Sequence, residues 1–201
     1  MSALFQHYLP PNMTMLPYVS GRFYASQHAR AVGGNATMVQ NRLYCVPYVL
    51  VRPGLFSAMA VNVTTGAAGL LRMALAADNG AGRPGVVIEE PLNDADTTSA
   101  GSAICAFAQP RWISAGIWWL LCCFSGTPAV RGTAGQAFSA GNTLLLGSSV
   151  GDGGAGGGSG SENGFFLALT HQAGVPIMPN SPGGLSYLVN NPTPLPTLQA
   201  A

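Results

Sequence analysis

The sequence contains no lysine; all eight basic residues are arginines, at positions 22, 30, 42, 52, 72, 83, 111 and 131. That absence excludes a Walker-type phosphate loop and a Schiff-base enzyme, both of which need a lysine amine, and it excludes a polybasic tail. Charge of either sign is scarce: 7% of the chain, against roughly 25% in ordinary soluble domains. A net charge of +1 leaves no electrostatic footprint for nucleic acid or for an anionic membrane. Long apolar runs are missing too. The longest, residues 113–124, is broken by Ser114 and Gly116 and falls short of the roughly 20 residues a membrane helix needs, so it reads as a buried strand and no membrane insertion is expected. The opening Met-Ser-Ala-Leu-Phe-Gln-His has neither the basic start nor the apolar core of a signal peptide.

Cysteine is present but not in any motif. Cys45, Cys105, Cys122 and Cys123 include no C-x-x-C, and no histidine is near them in sequence, so zinc and dithiol redox spacings are excluded. Free thiols acting as small apolar side chains in a reducing cytoplasm are expected. On a strand, Cys122 and Cys123 point to opposite faces.

What the chain does have is glycine (27), proline (15) and 48% hydrophobic residues, enough apolar material for a core. Residues 1–40 carry Pro10-Pro11, Pro17, Gly33-Gly34 and the aromatics Phe5, Tyr8, Tyr18, Phe23 and Tyr24 without a helical period. They read as an extended N-terminal arm that buries its aromatics against its own domain or a neighbour. From residue 42 the texture becomes short strand-like runs. Residues 42–51 are rich in aromatic and β-branched residues, and Pro47 argues for an edge strand or a bulge there. In residues 56–64, Met59, Val61 and Val63 alternate with Ala58, Ala60 and Asn62, the period of a half-buried strand. Leu71, Met73 and Leu75 share a face opposite Arg72. Asp78-Asn-Gly-Ala-Gly-Arg-Pro-Gly85 supplies the positive φ angles of a reversal. Residues 86–90, 104–107 and 117–124 complete the series, with Val130 and residues 144–146 as weaker candidates. Strands every 10 to 15 residues, Gly/Pro punctuation and no convincing helix predict an all-β, antiparallel β-sandwich of jelly-roll type with extended N- and C-terminal arms.

The expected organisation is an arm over residues 1–40, the sandwich over 41–146, and a Gly/Pro-rich segment and arm over 147–201. Residues 147–164 contain nine glycines, which alone in water form a flexible linker; the arms and this stretch are expected to gain order from neighbouring subunits. The proline-rich end, residues 176–201, has too few alternating apolar positions for a strand pair and reads as an arm on a surface.

Chemical motifs fail on mechanism. Gly147-Ser-Ser149-Val-Gly151 matches G-x-S-x-G, with Asp152 or Glu162 and His171 following. A nucleophile elbow, however, turns into a helix, and the residues that follow are Asp-Gly-Gly-Ala-Gly-Gly-Gly, among the weakest helix formers. The G-x-G-x-x-G at 151–156 likewise lacks its helix and its downstream acid. No catalytic residue and no cofactor are expected. The acids Asp78, Glu89, Glu90, Asp94 and Asp96 cluster in sequence; Asp94 and Asp96 are candidates for calcium, although loop aspartates more often bond their own backbone. His7, His28 and His171 are dispersed and read as ordinary surface or arm residues. Trp112, Trp118 and Trp119 are candidate ligand contacts, because an outward indole stacks on a sugar ring. The competing reading is an indole covered by an arm or a neighbouring subunit.

Four segments in order, Asn41-Arg-Leu-Tyr-Cys-Val-Pro-Tyr48, Ala60-Val-Asn-Val-Thr-Thr65, Leu71-Arg-Met-Ala-Leu-Ala-Ala-Asp-Asn-Gly80 with Arg83-Pro-Gly85, and Ala115-Gly-Ile-Trp-Trp-Leu120, resemble a recurring module of tailed-bacteriophage virions found in tail-fibre, head-fibre and related appendage proteins. The resemblance covers about residues 20–135. It departs at Ala115-Gly116, where the family more often has Pro-Gly, and in the glycine insertion after residue 146. It brings no catalytic signature. It implies a jelly-roll-like sandwich projecting from a capsid or tail, assembled in the host cytoplasm as trimers or larger rings with other virion proteins. The expected function is a non-enzymatic tail-fibre or fibre-like component. The alternatives are a capsid decoration or head-fibre protein, and a carbohydrate-binding module for host surface polysaccharide.

Overall fold

The structure, a computed structural model, describes residues 17–26, 34–133, 162–168, 186–189 and 193–201. Among the described residues there are fourteen strands and no helix, hence none long and apolar enough to cross a membrane. Every strand pair is antiparallel, and the strands form two sheets. The first contains β1 (Phe23–Ala25), β2 (Gly34–Thr37), β4 (Gly54–Thr65), β8 (Gly101–Ile113), β10 (Ala129–Thr133), β13 (Thr193–Pro194) and β14 (Thr197–Ala200). The second contains β3 (Arg42–Leu50), β5 (Leu70–Asp78), β6 (Pro84–Glu89), β7 (Ala95–Asp96), β9 (Gly116–Phe124), β11 (Glu162–Ala168) and β12 (Ser186–Val189). The protein is an antiparallel β-sandwich.

Its wrapping is jelly-roll-like. Consecutive strands β3 and β4 lie in opposite sheets, as do β8 and β9; β3 pairs with β9 and β4 with β8. The two two-strand ribbons therefore pair along their length, one half in each sheet. β5 then takes the free side of β9 and turns back as the β5–β6 hairpin. That hairpin closes as its residues dictate: Gly80 and Gly82 have φ of 86° and 70°, and the Asp78 and Asn79 carboxylate and amide oxygens accept from the N–H groups of Gly80 and Ala81 at 2.7 and 2.8 Å.

The alternation read from the sequence places the core. Met59, Val61 and Val63 from β4 and Leu71, Met73 and Leu75 from β5 meet between the sheets with Phe56, Tyr44, Tyr48, Leu120 and Phe124. A second buried cluster occupies the far face of the second sheet: Leu43, Cys45, Ala74, Ala76, Trp119, Leu121 and Cys123. Cys122 belongs to the first cluster and Cys123 to the second, the opposite-face placement expected of neighbours on a strand. Where the loops at Gly69 and Gly126 cross, a Cβ on Gly69 would sit 2.7 Å from the Gly126 nitrogen, and Gly69 has φ of +151°; both the approach and the backbone angle require glycine.

Two expectations are corrected. Pro47 does not make β3 an edge strand: β11 pairs with β3 over Leu43, Tyr44 and Cys45, and β9 runs along its other side. The proline lies beyond the reach of β11, where the outer N–H of Val49 is taken instead by the Ser26 hydroxyl at 3.1 Å. Nor do residues 193–200 lie as an arm on a surface. β14 is inserted between β1 and β4 in the first sheet, with Leu198 and Ala200 0% and 2% exposed. Backbone bonding on both sides needs no long apolar alternation, so two inward residues suffice. The described N-terminal residues are also held by their own chain. Tyr18 packs edge-on against Tyr24 and Phe56, at 4.9 and 5.1 Å between ring centroids, with the Arg52 guanidinium 4.0 Å from its ring. The remaining arm residues and the glycine-rich stretch up to residue 161, with Ser149, Asp152 and His171, lie outside the described residues.

Candidate functional site

The three tryptophans have three environments. Trp119 is fully buried on the far face of the second sheet, and its indole N–H donates to Asp78 Oδ2 at 2.9 Å. Trp118, on the inward face, is half-buried against the inter-sheet core and donates to the Ser114 carbonyl at 2.8 Å. Trp112 alone is offered to solvent, at 66% exposure. The strand does not bring the three together, and only Trp112 presents a free aromatic face.

The acids are spread over separate tasks. Asp94 accepts from Arg72 Nε at 2.6 Å, and Glu90 lies 3.8 Å from the same guanidinium. Glu89 pairs with Arg111 Nη1 at 2.7 Å, tying β6 at the edge of one sheet to β8 at the edge of the other. Asp96 accepts from the backbone N–H of Thr98 at 2.9 Å and from its hydroxyl, a local turn bond that holds its carboxyl below the usual range. Asp94 and Asp96 thus serve different neighbours. Among the described residues, no group of three His, Cys, Asp or Glu side chains is placed to hold a metal ion.

The cysteines are buried free thiols. Burial pushes Cys105 and Cys123 up to about 12, and raises Cys45 and Cys122 as well. A thiol that is neither ionised nor exposed is a poor nucleophile. All four are therefore expected to resist an aromatic disulfide reagent at about pH 8 in the folded protein and to react together once denatured; colorimetric thiol counting with and without guanidinium checks this.

The largest unassigned feature is the outward face of the first sheet. Register sets its residues in cross-strand rows. Phe23, Gln199, Ala58 and Ala106 form one row, and Ala25, Thr197, Ala60 and Ile104 the next. Asn62 and Ser102 continue it at one end, and Leu55 and Trp112 at the other. Phe23, Leu55, Ile104 and Trp112 are exposed, whereas Ala58 and Ala60 are buried beneath them. The alanines floor a trough, and the larger side chains stand at its margins. Among the described residues, no outward side chain on β1, β14, β4 or β8 is charged; Arg131 on β10 is the one charge on the face. It lines a shallow groove of about 390 Å³ with Phe23, Asn62, Ser102, Leu195 and Thr197.

Of this face, the sequence reading had singled out Trp112 alone. Its neighbours carried one usable signal: the alternate positions Ser102, Ile104, Ala106, Ala108, Pro110 and Trp112 include no charge, which is unusual for the solvent side of an edge strand. No protein-family model matches the chain, and no curated protein matches it.

Proposed function

We propose that this chain is a non-enzymatic structural protein of a tailed-phage virion, a tail-fibre or fibre-like appendage component that assembles with copies of itself and with other virion proteins. The observation that carries the reading is the outward face of the first sheet, which around a floor of alanines exposes Phe23, Leu55, Ile104 and Trp112 beside the uncharged Gln199, Thr197, Asn62 and Ser102, with Arg131 as its one charge among the described residues. Surfaces that stay in water are normally studded with charge, and an extended uncharged face with several large apolar side chains exposed on it marks a contact surface. The order of the four phage-like segments supports it as well: they fall on β3, β4, the β5–β6 hairpin and β9, the strands that frame the core. Among the described residues, Asp78, Glu89, Asp94 and Asp96 are each engaged by a neighbouring side chain or backbone group.

Immunogold electron microscopy and peptide mass spectrometry on purified phage particles test the proposal. The chain is expected in the particles at a defined copy number, with gold on the tail fibres. Gold on the capsid would favour a decoration or head-fibre protein. Recovery only from the soluble host fraction would overturn the proposal.

A further inference from the structure

We infer that the outward face of the first sheet is a copy-to-copy interface, in which the exposed Trp112 side of one chain lies over the alanine floor of another. The inference rests on the assembly reading above and gives it a surface and an occupant. Three observations select a second copy of this chain.

The first is shape. Ala58, Ala60 and Ala106 share the face with Trp112, Leu55 and Ile104, so the protrusion and the floor that receives it are on the same surface. A surface that carries both halves of a contact is self-complementary, and about a symmetry axis the protrusion of each copy meets the floor of the other. The alanines let two sheets approach without steric conflict, as in face-to-face sheet packing.

The second is charge. A partner recognised electrostatically would be met by charge of the opposite sign, and β1, β14, β4 and β8 present none outward. A second copy suits this neutrality. The chain carries a net charge of only +1, so copies do not repel one another, and closing this surface strands no unpaired ion. Arg131 lies beside Asn62 and Ser102, at the end of the face opposite Leu55 and Trp112, where the rim of an interface stays wet.

The third is size. The four strands supply 3, 4, 12 and 13 residues, which at ~3.3 Å per residue and about 4.8 Å between strands give roughly 500 Å² of projected face. Side-chain relief raises its accessible area towards the roughly 800 Å² per partner of a stable interface. A face of this size lies at the upper end of what monomers leave exposed, the range in which such patches commonly serve as contact surfaces.

Sedimentation equilibrium on the full chain tests the inference. The wild type is expected to associate, and Ile104→Glu to weaken association by at least about tenfold. Val86→Glu, at a 56% exposed position on β6 of the other sheet, is expected to leave it unchanged. Circular dichroism melts establish that each variant folds. Trp112→Ala is the second variant; it removes a mostly exposed side chain that the core does not need, and it too is expected to shift the equilibrium towards monomer. A wild type that stays monomeric at about 100 µM overturns the inference, as does association insensitive to both Ile104→Glu and Trp112→Ala. Binding of host polysaccharide by a monomer through Trp112 would also overturn it. A monomeric chain that is nonetheless found in phage particles defeats this inference and leaves the virion reading standing. A self-associating chain absent from particles does the reverse.

Discussion

Deletion of residues 197–201 is expected to abolish cooperative unfolding altogether. β14 is an interior strand: it pairs with β1 over Phe23–Ala25 and with β4 from Phe56 to Ala60. Its removal unpairs backbone groups on both neighbours, and buried unpaired groups cost about 1–3 kcal/mol each. It also withdraws Leu198 from the inter-sheet core, where the side chain is 0% exposed. The total stability of a domain is only about 5–15 kcal/mol, so the loss is comparable to the whole. A single substitution isolates the core contribution. Leu198→Asp places a carboxylate with no partner between the sheets and is expected to cost more than about 4 kcal/mol, whereas Gln199→Asp, at an outward position on the same strand, is expected to cost under about 1 kcal/mol. Guanidinium denaturation of the three variants checks the ranking.

Trp119→Ala is expected to be the most damaging truncation in the second sheet, at about 4 kcal/mol. The indole is the largest fully buried side chain described. It packs with Leu43, Cys45, Ala74, Ala76, Leu121 and Cys123, so its loss leaves a cavity that the surrounding strands cannot close. Its N–H also satisfies Asp78 Oδ2. Trp119→Phe keeps an aromatic ring in the site and removes the indole N–H donor, and about 1–2 kcal/mol is expected for it. Combining Trp119→Phe with Asp78→Ala should then cost less than the sum of the two, because they remove the same bond. For a chain of this length, the alanine variant lowers the melting midpoint by roughly 10 °C.

The parts of the fold legible in the sequence are those where one strand face is apolar and the other is not. Met59, Val61 and Val63, and Leu71, Met73 and Leu75, alternate in the sequence as they do between core and exterior. Asp78 to Gly85 announced its hairpin because asparagine and glycine supply the needed backbone angles. Legibility failed where long-range pairing, not side-chain pattern, makes the strand. In β14 buried Leu198 and Ala200 alternate with half-buried Thr197 and Gln199, too short a pattern to read, and nothing local signals that β1 and β4 lie on either side. Pro47 likewise hid an interior strand, because its missing N–H matters only at the point where β11 ends.

The interface face was hidden for a related reason. At Ser57 the β4–β8 register shifts: Phe56 stands opposite Arg111 but Ala58 stands opposite Ala106, so residues 107–110 bulge from β8 against one residue of β4. The irregularity reverses the phase of β4. Leu55, which by simple alternation belongs with the core positions Met59 and Val61, instead faces outward beside Trp112. Bulges of this kind are invisible to a period-two reading. For the tryptophans, the sequence established only that adjacent residues face opposite ways; Trp119, pointing away from the inter-sheet core, is nevertheless buried in a second apolar layer.

The most direct test of the account is hydroxyl-radical footprinting of the full chain across a concentration series, read by mass spectrometry at individual side chains. Trp112 should oxidise readily in dilute solution and become protected as concentration rises, together with Ile104 and Leu55. Trp119 should be protected throughout, and Val86 and Leu92 should stay reactive throughout. If Trp112 oxidises at one rate at every concentration, the neutral face of the first sheet does not meet another copy and the account's central claim is wrong.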